Sequence, residues 1–298
     1  MERQISLSYL TATKNKFPYF KRGIEKVIAQ KKPDEEILIA DGGSTDGTKE
    51  YLAELKAQGK IDYFISEPDF GESHALNKLF LVAKGTLIKI INDDDAYYFP
   101  AIEACKKFML DHPKVDILGM EGGSVKHKTP RELYVCQVAG YKDGYIKWQK
   151  DHTPFDSSVL GLMFRRSSLP ILGFWNLSFT MADTEYTFRV TAGKANIAWY
   201  TGSAYVYIKN QHGVTWVRKN RVAKEVARLR KFYLDEDPKP FIIRKLKGLK
   251  RGLIALLNKI KGEKGSDFPV EWSVMAKLSE DWLLEKSKVE KPEFLYNK

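Results

Sequence analysis

Residues 36–66, EILIADGGSTDGTKEYLAELKAQGKIDYFIS, decide the fold. Two short apolar runs, EILIAD (36–41) and IDYFIS (61–66), read as strands, and TKEYLAELKAQ between them repeats its apolar residues three or four apart, as a helix does. The alternation continues outward. ISLSYLT (5–11) and FPYFKRGIEKVIAQ precede it, and ESHALNKLFLVA, TLIKIIN (86–92), FPAIEACKKFML and VDILGM (115–120) follow. Repeated units of this kind predict an α/β fold, a mostly parallel sheet flanked by helices on both faces. Sheets of this class bind ligands at the carboxyl ends of their strands, so the residues just after each strand carry the functional reading.

After the second strand, DGGSTDGT (Asp41 to Thr48) has glycines for a tight turn and Asp46 placed to cap the next helix. Asp41, at the strand end, can accept hydrogen bonds from a nucleobase or ribose; read alone, the segment is also a plain turn and cap. The fourth strand ends in IINDDDAYYF, which crowds Asp93, Asp94 and Asp95 behind an apolar run. Three adjacent carboxylates repel one another unless a cation neutralises them. Oxygen-only ligands suit Mg²⁺ or Mn²⁺, with coordination positions left for diphosphate oxygens. A solvated acidic turn is the plainer alternative.

With 298 residues and 43% apolar content the chain can bury a sizeable core. Its first residues lack the apolar core of a secretory signal, and no run approaches the ~20 apolar residues of a spanning helix; the expectation is a cytoplasmic protein. Cys105 and Cys136 lie at no metal-ligand or disulfide spacing and read as bystanders. The net charge of +11 is concentrated between Lys239 and Lys264, with nine Lys or Arg against a single acid, Glu263. There Ile242, Leu246, Leu249, Leu253, Leu256 and Ile260 form one apolar stripe among lysines and arginines. A helix of that composition, about 239–262, suits an anionic membrane surface; packing on the body is the other reading. A nucleic-acid binder would account for the lysines but not for the aspartates.

The order and spacing of the TAT segment (Thr11, Ala12, Thr13), DGGSTDGT, SEPDFGESHALNKLFLVAKG (66–85) and NDDD (92–95) resemble family 2 glycosyltransferases of GT-A fold. The similarity covers about residues 3–215. It implies a nucleotide-sugar donor, UDP being the commonest carrier, and a Mn²⁺ or Mg²⁺ ion. Thr11, Ala12, Thr13 and Asp41 would hold the base, and Asp69 would close the same pocket. Asp95 would be the metal ligand, with Asp93 and Asp94 contacting the ribose or assisting the metal. One departure is GESHALNKL where the family wording is nearer GIYDAMNKG, so that His74 replaces an acid and Leu79 a glycine.

Inverting transfer needs a base to take the acceptor hydroxyl's proton. The family supplies it from an acidic pair before a helix, and the matching stretch, FTMADTEYTFRV, has Ala182 then Asp183. Asp183 is the expected base. Glu185 is its rival, but two helical positions turn side chains apart by about 200°, so the two cannot share a site. QHGVTWVRKNR offers His212, Arg218 and Arg221 toward the diphosphate, His212 also as a metal ligand, and Trp175, Trp199 and Trp216 are candidates for stacking on sugars.

The expected organisation is a GT-A catalytic domain over 1–215, with a nucleotide half (1–121) and an acceptor half (122–215), then a helical C-terminal extension (216–298). The resemblance points to a glycan or polyprenyl-linked acceptor in cell-envelope polysaccharide assembly. Other enzyme classes fit less well. A dinucleotide-dependent dehydrogenase lacks its GxGxxG after the first strand, and a sugar-1-phosphate nucleotidyltransferase lacks its glycine-rich, arginine-containing loop. A transferase-like protein that binds donor without turnover is the remaining alternative, since Ala182 leaves the acidic pair incomplete.

Overall fold

The computed structural model describes residues 4–128, 132–209, 218–236 and 270–296. The first half follows the β–α alternation: β1 (Leu7–Thr13), α1 (Phe17–Gln30), β2 (Glu35–Asp41), α2 (Thr48–Ala57), β3 (Tyr63–Ser66), α3 (Glu72–Val82), β4 (Leu87–Ile90), β5 (Ala96–Tyr97), α4 (Phe99–Asp111). The second half has β6 (Ile117–His127), β7 (Leu133–Gln137), α5 (Tyr141–Asp151), β8 (Leu162–Arg165), α6 (Leu169–Leu172), α7 (Ala182–Ala192) and β9 (Ile197–Tyr207). After it come α8 (Lys219–Leu234), α9 (Trp272–Val289) and β10 (Phe294–Leu295).

One sheet runs in the order β10, β9, β6, β8, β4, β1, β2, β3, with β5 on β9 and β7 on β6. The parallel expectation holds for β3, β2, β1 and β4. The second half is mixed, because β8 lies antiparallel between β4 and β6 while β6 and β9 pair in parallel. Alternation along the central strands builds two apolar layers. On β2, Leu38 and Ala40 join a cluster with α3, α5 and α7, whereas Ile37 and Ile39 join another with α1, α2 and α4. On α1 the buried residues are Phe20, Ile24 and Val27, the spacing of one helical face.

Glycine is required where β6 meets β9. A Cβ on Gly119 would lie 2.2 Å from the Trp199 ring, so the strand carries glycine where the indole fills the layer.

The C-terminal residues are more than an appendage. β10 pairs with β9, and Met275, Ala276 and Leu283 of α9 form a third apolar cluster with Ala96, Val125 and Val206. Glu225 of α8 accepts from the backbone amides of Thr180 (2.7 Å) and Met181 (3.1 Å), at the start of α7. Residues 218–234 and 270–296 therefore pack directly on the rest of the fold. The basic stripe at 239–262 lies outside the described residues.

Candidate active site

The parallel half brings three strand ends together. Thr13 on β1 sits opposite Asp41 on β2, and Asp93 to Asp95 follow β4. Asp41 is 2% exposed and accepts from the Ser44 amide (3.1 Å), the Ser44 hydroxyl and the Ser66 hydroxyl (2.6 Å), so it anchors its own turn and the end of β3. Asp69 accepts from the Gly71 amide at 2.8 Å, and its Oδ2 lies where a Gly42 side chain would be. Asp69 and the Asp41 turn thus form one wall, with Thr11 and Thr13 buried beside it. Asp46 does not occupy the cap position itself, which falls to Gly47. It accepts instead from Thr48 Oγ1 (2.6 Å) and the Phe17 amide (2.8 Å), tying the first two strand-end loops together.

The three consecutive aspartates part company. Asp93 accepts from Thr13 Oγ1 (2.8 Å) and Lys16 Nζ (2.9 Å), and the same ammonium lies 3.0 Å from Asp94 Oδ2. Asp95 turns the other way, accepting from the Ile208 amide (2.7 Å) just beyond β9 and from Asn92 Nδ2 (3.3 Å). Burial, eased by Lys16, pushes the Asp93 carboxyl up to about 6. Burial and the charge of Asp94 push Asp95 well above the usual carboxylate range. Burial works against the Lys16 charge, yet Asp93 and Asp94 outweigh it and hold the ammonium above its ordinary value.

The metal expectation can be tested on this donor set. Among the described residues no three His, Cys, Asp or Glu side chains converge on one point. All the acids at hand offer oxygen, however, and hard cations such as Mg²⁺ are commonly held by one or two carboxylates with substrate phosphates completing the shell. Asp93 and Asp95 supply carboxylate oxygens of that kind from one loop after β4, so the donor chemistry fits a hard cation, with the Lys16 ammonium facing Asp93 and the Ile208 amide facing Asp95. His212 and Trp216 lie outside the described residues.

Beside the aspartates opens a cleft of about 450 Å³, whose lining includes Glu72, Asn92, Lys126, Asp156, Asp183 and Lys209. Asp183 lies in the first turn of α7, with the Thr184 amide at 2.8 Å and the Val159 amide at 3.5 Å, and burial raises its pKa. Glu185 points away as the helical angle requires, into an ion pair with Arg189 (2.9 Å) and a separate groove against α8. Ala182, where the family has an acid, packs into the core cluster.

Several expected residues are structural. His74, in the first turn of α3, accepts from the Phe70 amide at 3.2 Å, and Leu79 is fully buried in the core. Arg221 pairs with Glu225 (2.7 Å), and the Trp199 indole donates to Glu121 (2.9 Å) inside the sheet layer. Trp175 does face the cleft, and its indole N–H has no partner among the described residues. Cys105 is buried and Cys136 half-buried, both free thiols.

Three contributors were missed in the sequence. Lys16 was hidden in TATKNKF, where nothing marks one lysine over another. Glu72 opens α3 and faces the cleft, open to it; partial removal from water there, eased by Lys16 and reinforced by the charges of Asp93 and Asp183, pushes its carboxyl up to about 7. It therefore lies electrostatically between the aspartate loop and Asp183. Trp272 of α9 donates its indole N–H to the Asp94 carbonyl at 2.9 Å, so the C-terminal segment braces the aspartate loop.

A family model described as Glycosyl transferase family 2 matches residues 8–169. Among curated proteins, the poly-beta-1,6-N-acetyl-D-glucosamine synthase of Staphylococcus epidermidis is 24% identical over 194 residues, covering 62% of this chain and 45% of the synthase. The putative teichuronic acid biosynthesis glycosyltransferase TuaG of Bacillus subtilis is 28% identical over 106 residues, 35% of this chain and 42% of that protein. The chain thus spans less than half the length of these two relatives. Among solved structures, S. aureus TarS 1–349 in complex with UDP-GlcNAc superposes with a TM-score of 0.58 at 14% identity, covering 77% of this chain and 65% of that one. The mannosyltransferase PcManGT from Pyrobaculum calidifontis in complex with GDP-Man and Mn²⁺ gives 0.57 at 15% identity, covering 96% and 87%.

Proposed function

Because the chain belongs to glycosyl transferase family 2 and has the GT-A fold, we propose that it is an inverting transferase. It moves a sugar from a nucleoside diphosphate, UDP in the first instance, to a hydroxyl of a glycan or lipid-linked glycan in polysaccharide assembly. The observation that carries this reading is the cleft itself. A carboxylate made more basic by burial, Asp183, lines the same cavity as Glu72 and Asn92, beside the strand ends that hold Asp41 and Asp93.

In this reading Thr11, Ala12, Thr13, Asp41 and Asp69 receive the base and ribose, with Asp93 and Asp94 at the ribose edge. Asp95 and Asp93 hold a Mn²⁺ or Mg²⁺ ion, and His212 is a further candidate ligand. When bound, the ion supplies positive charge against the leaving diphosphate. Asp183 accepts the proton of the acceptor hydroxyl as that oxygen bonds to the anomeric carbon. The bond from that carbon to the phosphate oxygen breaks on the opposite face, and the nucleoside diphosphate departs with the electron pair. Burial suits Asp183 to this role, since a base with raised pKa retains the proton more readily.

Calorimetric titration of UDP, GDP and dTDP with Mn²⁺ tests the donor half. Metal-dependent binding of one nucleotide, lost in Asp95→Ala, is expected; no binding of any of them would refute the assignment. Residues 239–262 are proposed to rest on an anionic membrane surface. Among the described residues no helix is long and apolar enough to cross a membrane. Co-flotation with phosphatidylglycerol vesicles, absent with phosphatidylcholine vesicles, is the expected result.

A further inference from the structure

Two lysines stand side by side on one wall of the cleft. β6 and β9 are parallel there, with Gly122 opposite Tyr205, Gly123 opposite Val206 and Ser124 opposite Tyr207. Lys126 follows two residues after Ser124 on β6 and Lys209 two residues past the end of β9, and the two ammonium groups are close enough to repel each other. Strand alternation sends Ser124 and Lys126 to one face of β6, and Tyr205 and Tyr207 to the same face of β9, with Lys209 just beyond the strand end. All five line the cleft.

Like charges brought together are destabilising. Burial, and next the charge of Lys126, hold the Lys209 ammonium below its usual range. Lys126 and Lys209 are half-buried, and the fully buried lysines show how the fold satisfies such charges internally. Lys106 pairs with Glu35 (2.7 Å) and Glu103 (2.9 Å), and Lys89 gives its ammonium to the carbonyls of Ile90 and Leu160, both at 2.8 Å. Lys126 and Lys209 have no such partner among the described residues and are aimed into a concavity, where their fields add.

A second observation points the same way. The Tyr205 hydroxyl, the Ser157 hydroxyl and the Trp175 indole N–H are buried without hydrogen-bond partners among the described residues, and all three residues line this cleft. Tyr205 is 1% exposed and lies on the same strand face as Tyr207. Buried polar groups are nearly always satisfied, so these three, unlike the Tyr186 hydroxyl, which shares their lack of a partner but lies away from the cleft, are placed to meet water or a ligand entering it. Each can donate, and what two ammonium groups and a hydroxyl donor jointly recognise is an acceptor-only, negatively charged oxygen group.

We propose that Lys126 and Lys209, with the Tyr205 hydroxyl, form an oxyanion subsite at the β6–β9 end of the cleft, taking a phosphate or carboxylate group of a substrate. Only the choice of source rests on the transferase reading. The group is either a charged substituent of the acceptor or the diphosphate of the donor. Both are within the logic of the site, since Ile208, next to Lys209, anchors Asp95.

Inorganic phosphate is the probe, titrated calorimetrically into the full chain in EDTA, and again with saturating UDP and Mg²⁺. The wild type is compared with Lys126→Gln, Lys209→Gln and the double variant. Lys126→Arg keeps the charge, and thermal melts report folding. The wild type and Lys126→Arg are expected to bind phosphate, and the double variant to bind it at least about tenfold more weakly with an unchanged melt. Undiminished phosphate binding to the UDP-loaded protein assigns the subsite to the acceptor. Exclusion by UDP, with the double variant losing affinity for UDP but not for uridine, assigns it to the diphosphate. Phosphate binding that is absent from the wild type, or indifferent to both lysines, overturns the subsite, and UDP binding would then stand on its own. Lysine-dependent phosphate binding by a wild type that takes no nucleotide would instead keep the subsite and remove the transferase reading.

Discussion

Replacing Lys16 by methionine removes the ammonium that lies 2.9 Å from Asp93 and 3.0 Å from Asp94. At an effective dielectric of about 20, each contact is worth roughly 6 kcal/mol before desolvation is counted. Desolvation takes back most of that. Breaking a fully buried pair typically costs about 3–5 kcal/mol, but 24% of the Lys16 side chain is exposed, so solvent screening lowers the expected net loss to about 2–3 kcal/mol. For a chain of this length the entropy of unfolding is about 0.6 kcal/mol/K, which converts the loss into a fall of roughly 3–5 °C in Tm. The assay is a thermal melt in EDTA and in a Mn²⁺ series. If Asp93 and its neighbours hold a divalent ion, ammonium and metal compete for the same negative charge, and Mn²⁺ must stabilise Lys16→Met more than the wild type. An unchanged Tm in EDTA would refute the electrostatic account. An equal Mn²⁺ shift in both proteins would refute the competition, and with it the assignment of the ion to these carboxylates.

Asp183→Asn should lower turnover by about 10²–10⁴ and leave UDP binding intact; a smaller effect in steady-state assays of UDP release would move the base elsewhere. The pH dependence follows from the same residue. Burial raises the Asp183 pKa and the base works only when ionised, so kcat/KM should fall as pH drops through that raised value, with an acidic limb above the ordinary aspartate position of 3.8; a limb at or below 3.8 contradicts it. Tyr205→Phe removes a buried hydroxyl that has no partner among the described residues, so chemical denaturation should show no loss of stability beyond about 0.5 kcal/mol. Gly119→Ala, which drives a Cβ to within 2.2 Å of Trp199, should cost about 1–3 kcal/mol in the same assay.

The nucleotide half was legible because its strands are continuous apolar runs and its helices keep a clean period, so the strand ends, and the acids on them, could be placed by counting. The second half defeats that counting for physical reasons. β6 is ILGMEGGSVKH, whose first residues read as a strand within VDILGM but whose EGGS looks like a turn. A Cβ on Gly119 would strike Trp199, and one on Gly122 would strike Tyr205, so the apolar volume those positions lack arrives from residues about eighty positions away. β8 is only four residues long and takes its place from neighbours on both sides. α9 gave no chemical signal, yet Trp272 holds the Asp94 carbonyl.

The candidate site divides along the same line. Asp183 could be separated from Glu185 because helix geometry is local: an angle of about 200° holds wherever the helix packs, and in the fold one residue lines the cleft while the other pairs with Arg189. The fates of Asp93, Asp94 and Asp95 could not be read that way. They are adjacent and chemically identical, and what distinguishes them is supplied by Thr13 and Lys16 from β1 and its loop and by the Ile208 amide beyond β9. The lysine pair is the extreme case, since Lys126 and Lys209 are unremarkable in sequence and acquire a shared meaning only through the parallel register of β6 and β9. A local rule can nominate an acid or a base; where a charge is balanced, and so what remains free to meet a ligand, is decided by strands that the chain brings together over long distances.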